Sequence, residues 1–275
     1  MMRAVVAFLA LALVGLAHAA PERVVSLGGD LTEIAFALGK GDSIIAVDLT
    51  SVYPEEATKL PKVGYVRRLS AEGILAMKPD LILVSGDAGP PEVIEQLKAS
   101  GVELVTLPKD HTLDGIRSKI ETVAKALGAE EEGAKLAEKF DADRKAAEEA
   151  AGKGEEISAI YVMARGDGAL VGAGTDTAAD VVLRAAGLRN LLASHPGYKP
   201  VSGEALVVED PQVIVTGTRS VEAAGGLEQF KQNPALAQTS AARNGRILVF
   251  DDMYLLGMGP RTAEAVEELS AAARN

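Results

Sequence analysis

The stretch GYVRRLSAEGI, residues 64–74, is followed by KPD at 78–80 and by the apolar run LILV at 81–84. A second stretch, GYKPVSGEAL at 197–206, is followed in the same way by DPQ at 210–212 and VIV at 213–215. In each copy a Gly-Tyr loop leads to a serine that can cap a short helix, which carries one glutamate and ends at a proline before a buried strand. Two copies of one supersecondary unit predict two similar lobes that face each other.

Strand and helix patterns alternate on either side of a long helical stretch. The predicted strands are 23–27, 43–47, 81–84 and 102–105 before it, and 157–163, 169–171, 213–215 and 247–250 after it. This alternation favours parallel, doubly wound (Rossmann-like) α/β sheets. Asp30 is the predicted cap of the helix that follows the first strand, and the last helix is predicted from about Pro260 to Ala273.

The helical stretch between the two halves defines the predicted domain organisation. Residues 129–153 are rich in Ala, Glu and Lys and contain no proline, a composition that strongly favours helix. We interpret this stretch as a rigid connecting helix about 30 Å long rather than as a disordered linker. An N-terminal α/β lobe at 21–128 and a C-terminal α/β lobe at 154–275 then complete the chain.

The first twenty residues are typical of an export signal. Arg3 precedes an apolar run at 4–16, and Ala17-His18-Ala19 fits the small-x-small cleavage pattern. Because the run is too short to span a bilayer, we expect residues 1–20 to be a cleaved signal peptide rather than an anchor or a buried helix. We expect no membrane insertion of the mature chain. The chain has no cysteine, which excludes disulfides and thiolate metal sites, and export without disulfides favours a bacterial periplasm.

Charge and motifs exclude several classes of function. The formal net charge is −11 at pH 7, and since nucleic acid and anionic lipid both select basic surfaces, we expect neither as a partner. A small anionic ligand held by a local basic cluster is compatible with this charge. The Gly28-Gly29 turn is not the GxGxxG of dinucleotide-binding proteins, and neither GxxxxGK[ST] nor GxSxG occurs. We therefore expect a binding protein and not an enzyme.

Further strings extend the repeated motif into a family pattern: VSL at 25–27, AGTDTAAD at 173–180, EAL at 204–206 and GMGPRT at 257–262. With these strings the chain resembles the periplasmic substrate-binding proteins of bacterial haem-uptake ABC transporters, within the larger group that carries iron-siderophores and vitamin B12. The resemblance covers nearly the whole mature chain. It implies a class III periplasmic binding protein, in which two lobes joined by one long helix enclose a ligand cleft. It also implies capture of haem b (hemin) and its delivery to an ABC permease in the inner membrane.

Tyr65 is the first candidate for the iron ligand. A phenolate oxygen is a hard anionic donor that suits ferric iron, and tyrosinate is an established type of haem ligand. A free phenol ionises only near pH 10, so the iron and the cation at Arg67 would have to favour the ionised form. The resemblance implies that Tyr65 is the axial ligand and that Arg67 supports it. The alternative is an ordinary packed tyrosine in a loop.

Other side chains are candidates for the rest of the haem pocket. Arg68, next to Arg67, could attract haem propionates through charge-assisted hydrogen bonds, although neighbouring loop arginines are often merely solvated. Arg219 follows the strand at 213–215 and is expected at the opposite rim of the cleft, with Lys199 as a weaker candidate. Tyr198, the counterpart of Tyr65 in the repeat, could face the cleft, stack on the porphyrin or supply a second oxygen. The alternative is that it fills a structural corner.

Glu72 and Glu204 occupy matching positions of the repeat. The resemblance implies that such acids, one in each lobe, dock onto arginines of the permease, where two separated charges on one face give orientation. The alternative is that each is a local capping acid beside Ser70 or Ser202, but a capping box needs a spacing of three residues and the sequence has two. We therefore expect docking.

Histidine does not point to a second metal site. His111 and His195 remain after removal of the leader, and neither belongs to a cluster of the three or four ligands that zinc or manganese would need. Some proteins of the family that the chain resembles have a histidine after the strand at 157–163 that binds a further haem. This chain has Ala164-Arg165-Gly166 there, so one haem is expected. The alternative function is binding of an iron-siderophore or a corrinoid.

Overall fold

The structure is a computed structural model that describes residues 20–152, 155–165 and 168–275. The predicted signal peptide at 1–20 lies outside the described residues except for Ala20, and Gly166 of the Ala164-Arg165-Gly166 segment also lies outside them. Among the described residues, no helix is both long enough and apolar enough to cross a bilayer.

The N-terminal lobe is built on a parallel sheet. Its strands are β1 (Val24–Leu27), β2 (Ile44–Val47), β3 (Gly64–Tyr65), β4 (Arg68–Leu69), β5 (Leu81–Val84) and β6 (Glu103–Thr106). Its helices are α1 (Gly29–Ala37), α2 (Glu55–Thr58), α3 (Ala71–Leu75), α4 (Pro91–Ala99) and α5 (Leu113–Ala126), with a 3-10 turn at Gly41–Ser43. The sheet order is β2-β1-β5-β6, and β1 and β5 are buried throughout, as strands covered on both faces must be. The remaining strands, β3 and β4, form a separate antiparallel hairpin.

One long helix, α6 (Glu130–Ala151), follows the N-terminal sheet. Its 22 residues give a length of about 33 Å at 1.5 Å per residue. Three glutamates in its first turn complement the positive end of the helix dipole. The helix packs against α5, where a side chain at Gly133 would overlap Ala124, and its buried side includes Phe140. The sequence prediction of a connecting helix is confirmed.

The C-terminal lobe carries the second sheet. Its strands are β7 (Ile157–Ala164), β8 (Leu170–Ala173), β9 (Leu188–Asn190), β10 (Tyr198–Val201), β11 (Val213–Gly217) and β12 (Ile247–Phe250). Its helices are α7 (Ala178–Ala185), α8 (Gly203–Glu209), α9 (Thr218–Ala223), α10 (Leu227–Lys231), α11 (Ser240–Arg243), α12 (Asp252–Leu256) and α13 (Thr262–Arg274). The order is β10-β8-β7-β11-β12, with β9 beside the first half of β7.

This second sheet is mixed rather than wholly parallel. The strands β9, β7, β11 and β12 run parallel, whereas β8 is antiparallel to both β7 and β10. The cause is the short connection between Ala164 and Leu170, because a parallel crossover needs about a dozen residues. The parallel part of the sheet still places the carboxyl ends of β7, β11 and β12 at one edge.

A single apolar core runs through both lobes. It contains Leu31 and Ile120 from the N-terminal lobe, Phe140 from α6, and Val182 and Val266 from the C-terminal lobe. Smaller clusters fill the outer face of each sheet. The lobes are therefore packed against each other as well as joined by α6, which favours a cleft of nearly fixed shape.

One local prediction from the sequence is wrong. Helix α1 begins at Gly29 with Gly28 as its N-cap, and Asp30 lies in the first turn instead of capping the helix. Gly28 has a φ of 147°, a backbone conformation that glycine adopts easily. The Asp30 carboxylate is instead directed to Lys119 of α5, at a distance of 2.7 Å.

Candidate functional site

The β3-β4 hairpin places Tyr65 at the inner edge of the N-terminal lobe. Tyr65 is directly opposite Arg68 in the hairpin. Gly64, at a φ of 117°, accepts a hydrogen bond from the Leu49 amide at 2.8 Å, which ties the hairpin to the loop after β2. Its glycine identity is explained by that left-handed backbone, which a side chain would strain.

The other side of the hairpin is held by the loop after β5. The Gly89 amide donates to the Val66 carbonyl at 2.8 Å, and the Gly89 carbonyl accepts from the Leu69 amide at 2.9 Å. Two anchored sides leave little freedom for the hairpin, so its turn residues are held in one position. Tyr65 is half-buried there and Arg67 is exposed.

A cavity of about 210 Å3 lies between the lobes. It is lined by loops at the carboxyl ends of β1, β5 and β6 and by the C-terminal lobe, where parallel α/β sheets usually bind ligands. The lining includes Tyr65, Arg67, Asp87, Lys109, His111, Lys119, Arg219 and Met253. Three residues selected from the sequence, Tyr65, Arg67 and Arg219, are thus brought together from two lobes. Arg68 and Lys199 are exposed and do not belong to this lining.

Arg219 lies in the first turn of α9, and contacts of that turn with Asp252 hold it in place. Its backbone amide donates to the Asp252 carboxylate at 3.0 Å, and the neighbouring Thr218 hydroxyl donates to the same carboxylate at 3.1 Å. Gly217 lies so close to Asp252 that a side chain there would overlap the carboxylate. Asp252 therefore fixes the backbone that presents the Arg219 side chain to the cavity.

Three basic side chains surround Asp87 on the N-terminal wall of the cavity. Its carboxylate lies 3.0 Å from Lys109 Nζ, 3.1 Å from His111 Nε2 and 3.8 Å from an Arg67 guanidinium nitrogen. The pKa of Asp87 lies well below its ordinary value, because the His111 hydrogen bond and the contact with Lys109 outweigh the opposing effect of burial. Asp87 is therefore a fixed negative charge at the centre of a basic cluster.

The floor of the cavity is a buried ion pair within the N-terminal lobe, and its lysine also reaches a backbone carbonyl of the C-terminal lobe. Lys119 and Asp30 are 6% and 8% exposed, and Lys119 Nζ donates to Asp30 at 2.7 Å and to the Met258 carbonyl at 2.9 Å. Nearby, Arg261 of the C-terminal lobe donates to Glu33 at 2.8 Å and stacks 3.5 Å above the Tyr53 ring. These contacts hold the lobes together beside α6.

Tyr198 lies at the start of β10 in the C-terminal lobe, and it does not belong to the lining of the cavity. The residue is 42% exposed. The ionisation of its hydroxyl is influenced by Thr177 and Ala179 and by the charges of Arg67 and Asp87 of the other lobe. Burial of this hydroxyl end raises the pKa of Tyr198, and the Arg67 charge opposes the rise. Tyr198 therefore faces the N-terminal wall as a neutral phenol at neutral pH.

Glu72 and Glu204 are exposed on α3 and α8, the two matching helices of the repeat. Ser202 caps α8 through a 3.2 Å bond from the Ala205 amide, whereas Ser70 makes no side-chain cap bond. Hydrogen bonds from its own backbone amide and from Ser202 lower the pKa of Glu204. Glu204 thus has a local partner that a purely docking residue would not require, while keeping an exposed charge.

The histidines have different surroundings. His111 lines the cavity, whereas His195 lies in the loop before β10, where its carbonyl accepts a 2.8 Å hydrogen bond from the Thr175 amide. Within the described part of the chain there is no group of three or more His, Cys, Asp or Glu side chains placed to hold a metal ion.

Sequence reasoning missed Asp87, Lys109 and Lys119 as site residues. A usable signal existed for two of them, because Asp87 follows β5 and Lys109 follows β6, and the carboxyl ends of adjacent parallel strands meet at one edge. Lys119 lies in the middle of a helix, and its partners at Asp30 and Met258 are distant in sequence. No local pattern marks it.

Comparisons with solved structures give close matches over nearly the whole chain. The periplasmic heme-binding protein RhuT from Roseiflexus sp. RS-1, in apo form, matches with a TM-score of 0.88 and 41% identity over 92% of this chain and 97% of that chain. The periplasmic heme-binding protein BhuT, in complex with two hemes, matches with a TM-score of 0.86 and 38% identity over 91% and 97% of the two chains. The periplasmic vitamin B12 binding protein BtuF of Vibrio cholerae matches with a TM-score of 0.79 and 29% identity over 92% and 97%.

The two-lobed architecture with one long helix is thus shared with periplasmic binding proteins of class III, as the sequence predicts. Residues 24–254 match the family described as periplasmic binding protein. That range contains both sheets and the connecting helix. It also contains the cavity residues named above from Tyr65 to Met253. The chain therefore belongs to the periplasmic binding protein family.

Proposed function

We propose that this protein captures haem (hemin, haem b) in the cleft between its lobes and delivers it to an ABC permease of the inner membrane. The observation that carries the proposal is that Tyr65 and Arg67 line the cavity from one lobe while Arg219 lines it from the other. A phenolate donor accompanied by cations suits a ferric macrocycle that carries carboxylates. The neighbours at 41% and 38% identity, which are named as heme-binding proteins, support the same ligand.

Each side chain has a proposed role. Tyr65 is the axial iron ligand, and the positive charge of Arg67, two residues away, favours its ionised form. Arg219 binds a propionate from the C-terminal wall, and Arg68, exposed at the rim, adds to the positive field there. Tyr198 faces the macrocycle from the second lobe.

The size of the cavity bears on how the ligand sits. Pockets that hold small molecules typically have volumes of about 300–1,000 Å3, and the enclosed volume here is about 210 Å3. A flat macrocycle bound to Tyr65 would therefore extend beyond the enclosed part, towards Tyr198 and the cleft mouth. A shared apolar core between the lobes favours this arrangement over a wide hinge opening.

The proposed role as a haem carrier also implies where the protein acts. The chain would act in the periplasm after removal of residues 1–20, as a binding protein and not as an enzyme. The similar proteins are named as periplasmic binding proteins, which supports both statements.

The second candidate function is corrinoid binding, which the vitamin B12 binding neighbour at 29% identity favours, and ferric siderophores form a third ligand class. Titration of the purified protein with hemin, cyanocobalamin and a ferric siderophore, followed by absorbance and native mass, separates them. We expect a haem spectrum typical of a tyrosinate ligand and a mass increase of one haem. Binding of the corrinoid with no binding of hemin would overturn the proposal.

Docking at the permease gives a separate prediction. We expect Glu72→Arg combined with Glu204→Arg to leave hemin affinity unchanged, because both side chains are exposed and lie outside the cavity lining. Uptake should fall about tenfold, because two charges that orient the complex are reversed. The measurement is growth of the native host on haem as its iron source. A control with Glu103→Arg, exposed on β6, should grow normally, and normal growth of the double variant would contradict docking by these acids.

A further inference from the structure

The cavity carries a local positive charge in an acidic protein. Arg67, Lys109, Lys119 and Arg219 line it together with the carboxylates of Asp30, Asp87 and Asp110. Lys119 and Asp30 neutralise each other at 2.7 Å on the floor. The chain as a whole has a formal net charge of −11, so the surplus of basic groups in this lining is opposite in sign to the charge of the whole protein. A positive patch of this kind attracts an anionic group of the ligand.

The basic cluster around Asp87 has unused hydrogen-bond donors. Asp87 accepts from Lys109 at 3.0 Å and from His111 at 3.1 Å, and Arg67 is more distant at 3.8 Å. A lysine has three N–H donors and an arginine has five, so one carboxylate cannot satisfy them. The Lys109 and Arg67 side chains are both 62% exposed, and their remaining donors are therefore open to a ligand.

The backbone holds this cluster in one position. A side chain at Gly86 would overlap the backbone of Pro108 and Lys109, so the loops after β5 and β6 are in direct main-chain contact. The Leu107 amide donates to the Val84 carbonyl at 2.9 Å at the root of these loops. Asp87 and Lys109 are thus placed by packed backbone, and the donors at the cleft are ordered before a ligand arrives.

We propose that Lys109, held in place by Asp87, forms a carboxylate-binding subsite, which takes an acidic side arm of the tetrapyrrole and selects it over an amidated corrinoid. This inference rests on the proposed function and names the part of the ligand that the N-terminal wall recognises. Haem carries two propionate carboxylates, whereas the side arms of a corrinoid are mainly neutral amides. A charge-assisted bond from Lys109 to a carboxylate is stronger than a bond to an amide, so the subsite favours the acid.

The experiment compares hemin with hemin dimethyl ester, in which both carboxylates are blocked but the iron and the macrocycle are unchanged. Wild-type protein is expected to bind hemin about tenfold more tightly than the ester. The variant Lys109→Gln is expected to lose about tenfold in affinity for hemin and to bind the ester as the wild type does. Affinities are measured by absorbance titration, and thermal unfolding confirms that the variant is folded.

The matched control is Lys98→Gln, an exposed lysine of α4 that pairs with Glu95 and lies outside the cavity lining. It should bind both probes as the wild type does. Equal losses for hemin and ester in Lys109→Gln, or no loss for hemin, would overturn the carboxylate subsite while leaving haem binding intact. If wild-type protein binds neither probe, the proposed function itself fails and the subsite fails with it.

Discussion

Replacing Tyr65 by phenylalanine is expected to abolish the tyrosinate haem spectrum and to weaken hemin binding by at least about a hundredfold. The substitution removes one oxygen and keeps the ring, so the packing of the half-buried side chain in the hairpin is preserved. Because the phenolate is the proposed iron ligand, its loss removes the bond to the metal and leaves only contacts with the macrocycle. Absorbance titration with hemin measures both the spectrum and the affinity.

The control for this prediction is Tyr53→Phe. Tyr53 is 44% exposed, stacks with Arg261 and lies outside the lining of the cleft cavity. This variant should bind hemin as the wild type does. If Tyr65→Phe keeps the full spectrum and affinity while Tyr198→Phe loses them, the iron ligand comes from the C-terminal lobe and the assignment of Tyr65 is wrong.

The repeated motif made the fold predictable. Local patterns predict the strand at 81–84 as the structure has it and the connecting helix at 129–153 to within two residues at each end, since both depend on composition and periodicity over a short window. Tyr198 was predicted in a loop and lies at the start of β10, opposite Ala173. That pairing joins segments about 25 residues apart, and no local propensity specifies it.

The candidate site was predictable where the sequence repeats itself and not where the fold brings distant residues together. Tyr65 and Arg67 come from one motif, and the structure places both at the cavity. Their roles as iron ligand and support remain predictions. Asp87 and Lys109 meet because β5 and β6 are neighbours in the sheet, so the signal in their positions after two consecutive strands identifies the pair only once the strand order is known.

The ion pair on the cleft floor gives the second large expected effect, this time on stability. Lys119→Met should lower the free energy of unfolding by about 3–5 kcal/mol, because it leaves the buried Asp30 carboxylate without its partner. It also removes the hydrogen bond to the carbonyl of Met258, a non-glycine residue held at a φ of 53°. For a chain of this size the melting temperature should fall by about 6–15 °C, measured by circular dichroism.

Two further variants test whether the loss of stability comes from breaking the ion pair or from replacing a lysine side chain by methionine. Lys125→Met, exposed on the same helix, should change stability by no more than about 0.5 kcal/mol. Asp30→Asn combined with Lys119→Met removes both charges, and we expect it to recover much of the loss, because the cost of a single substitution lies mainly in the unpaired buried charge. If the double variant is as unstable as Lys119→Met, the instability arises from the Met258 backbone and not from Asp30. Lys119 would then stabilise the fold mainly through its hydrogen bond to the Met258 carbonyl of the C-terminal lobe rather than through its pairing with Asp30.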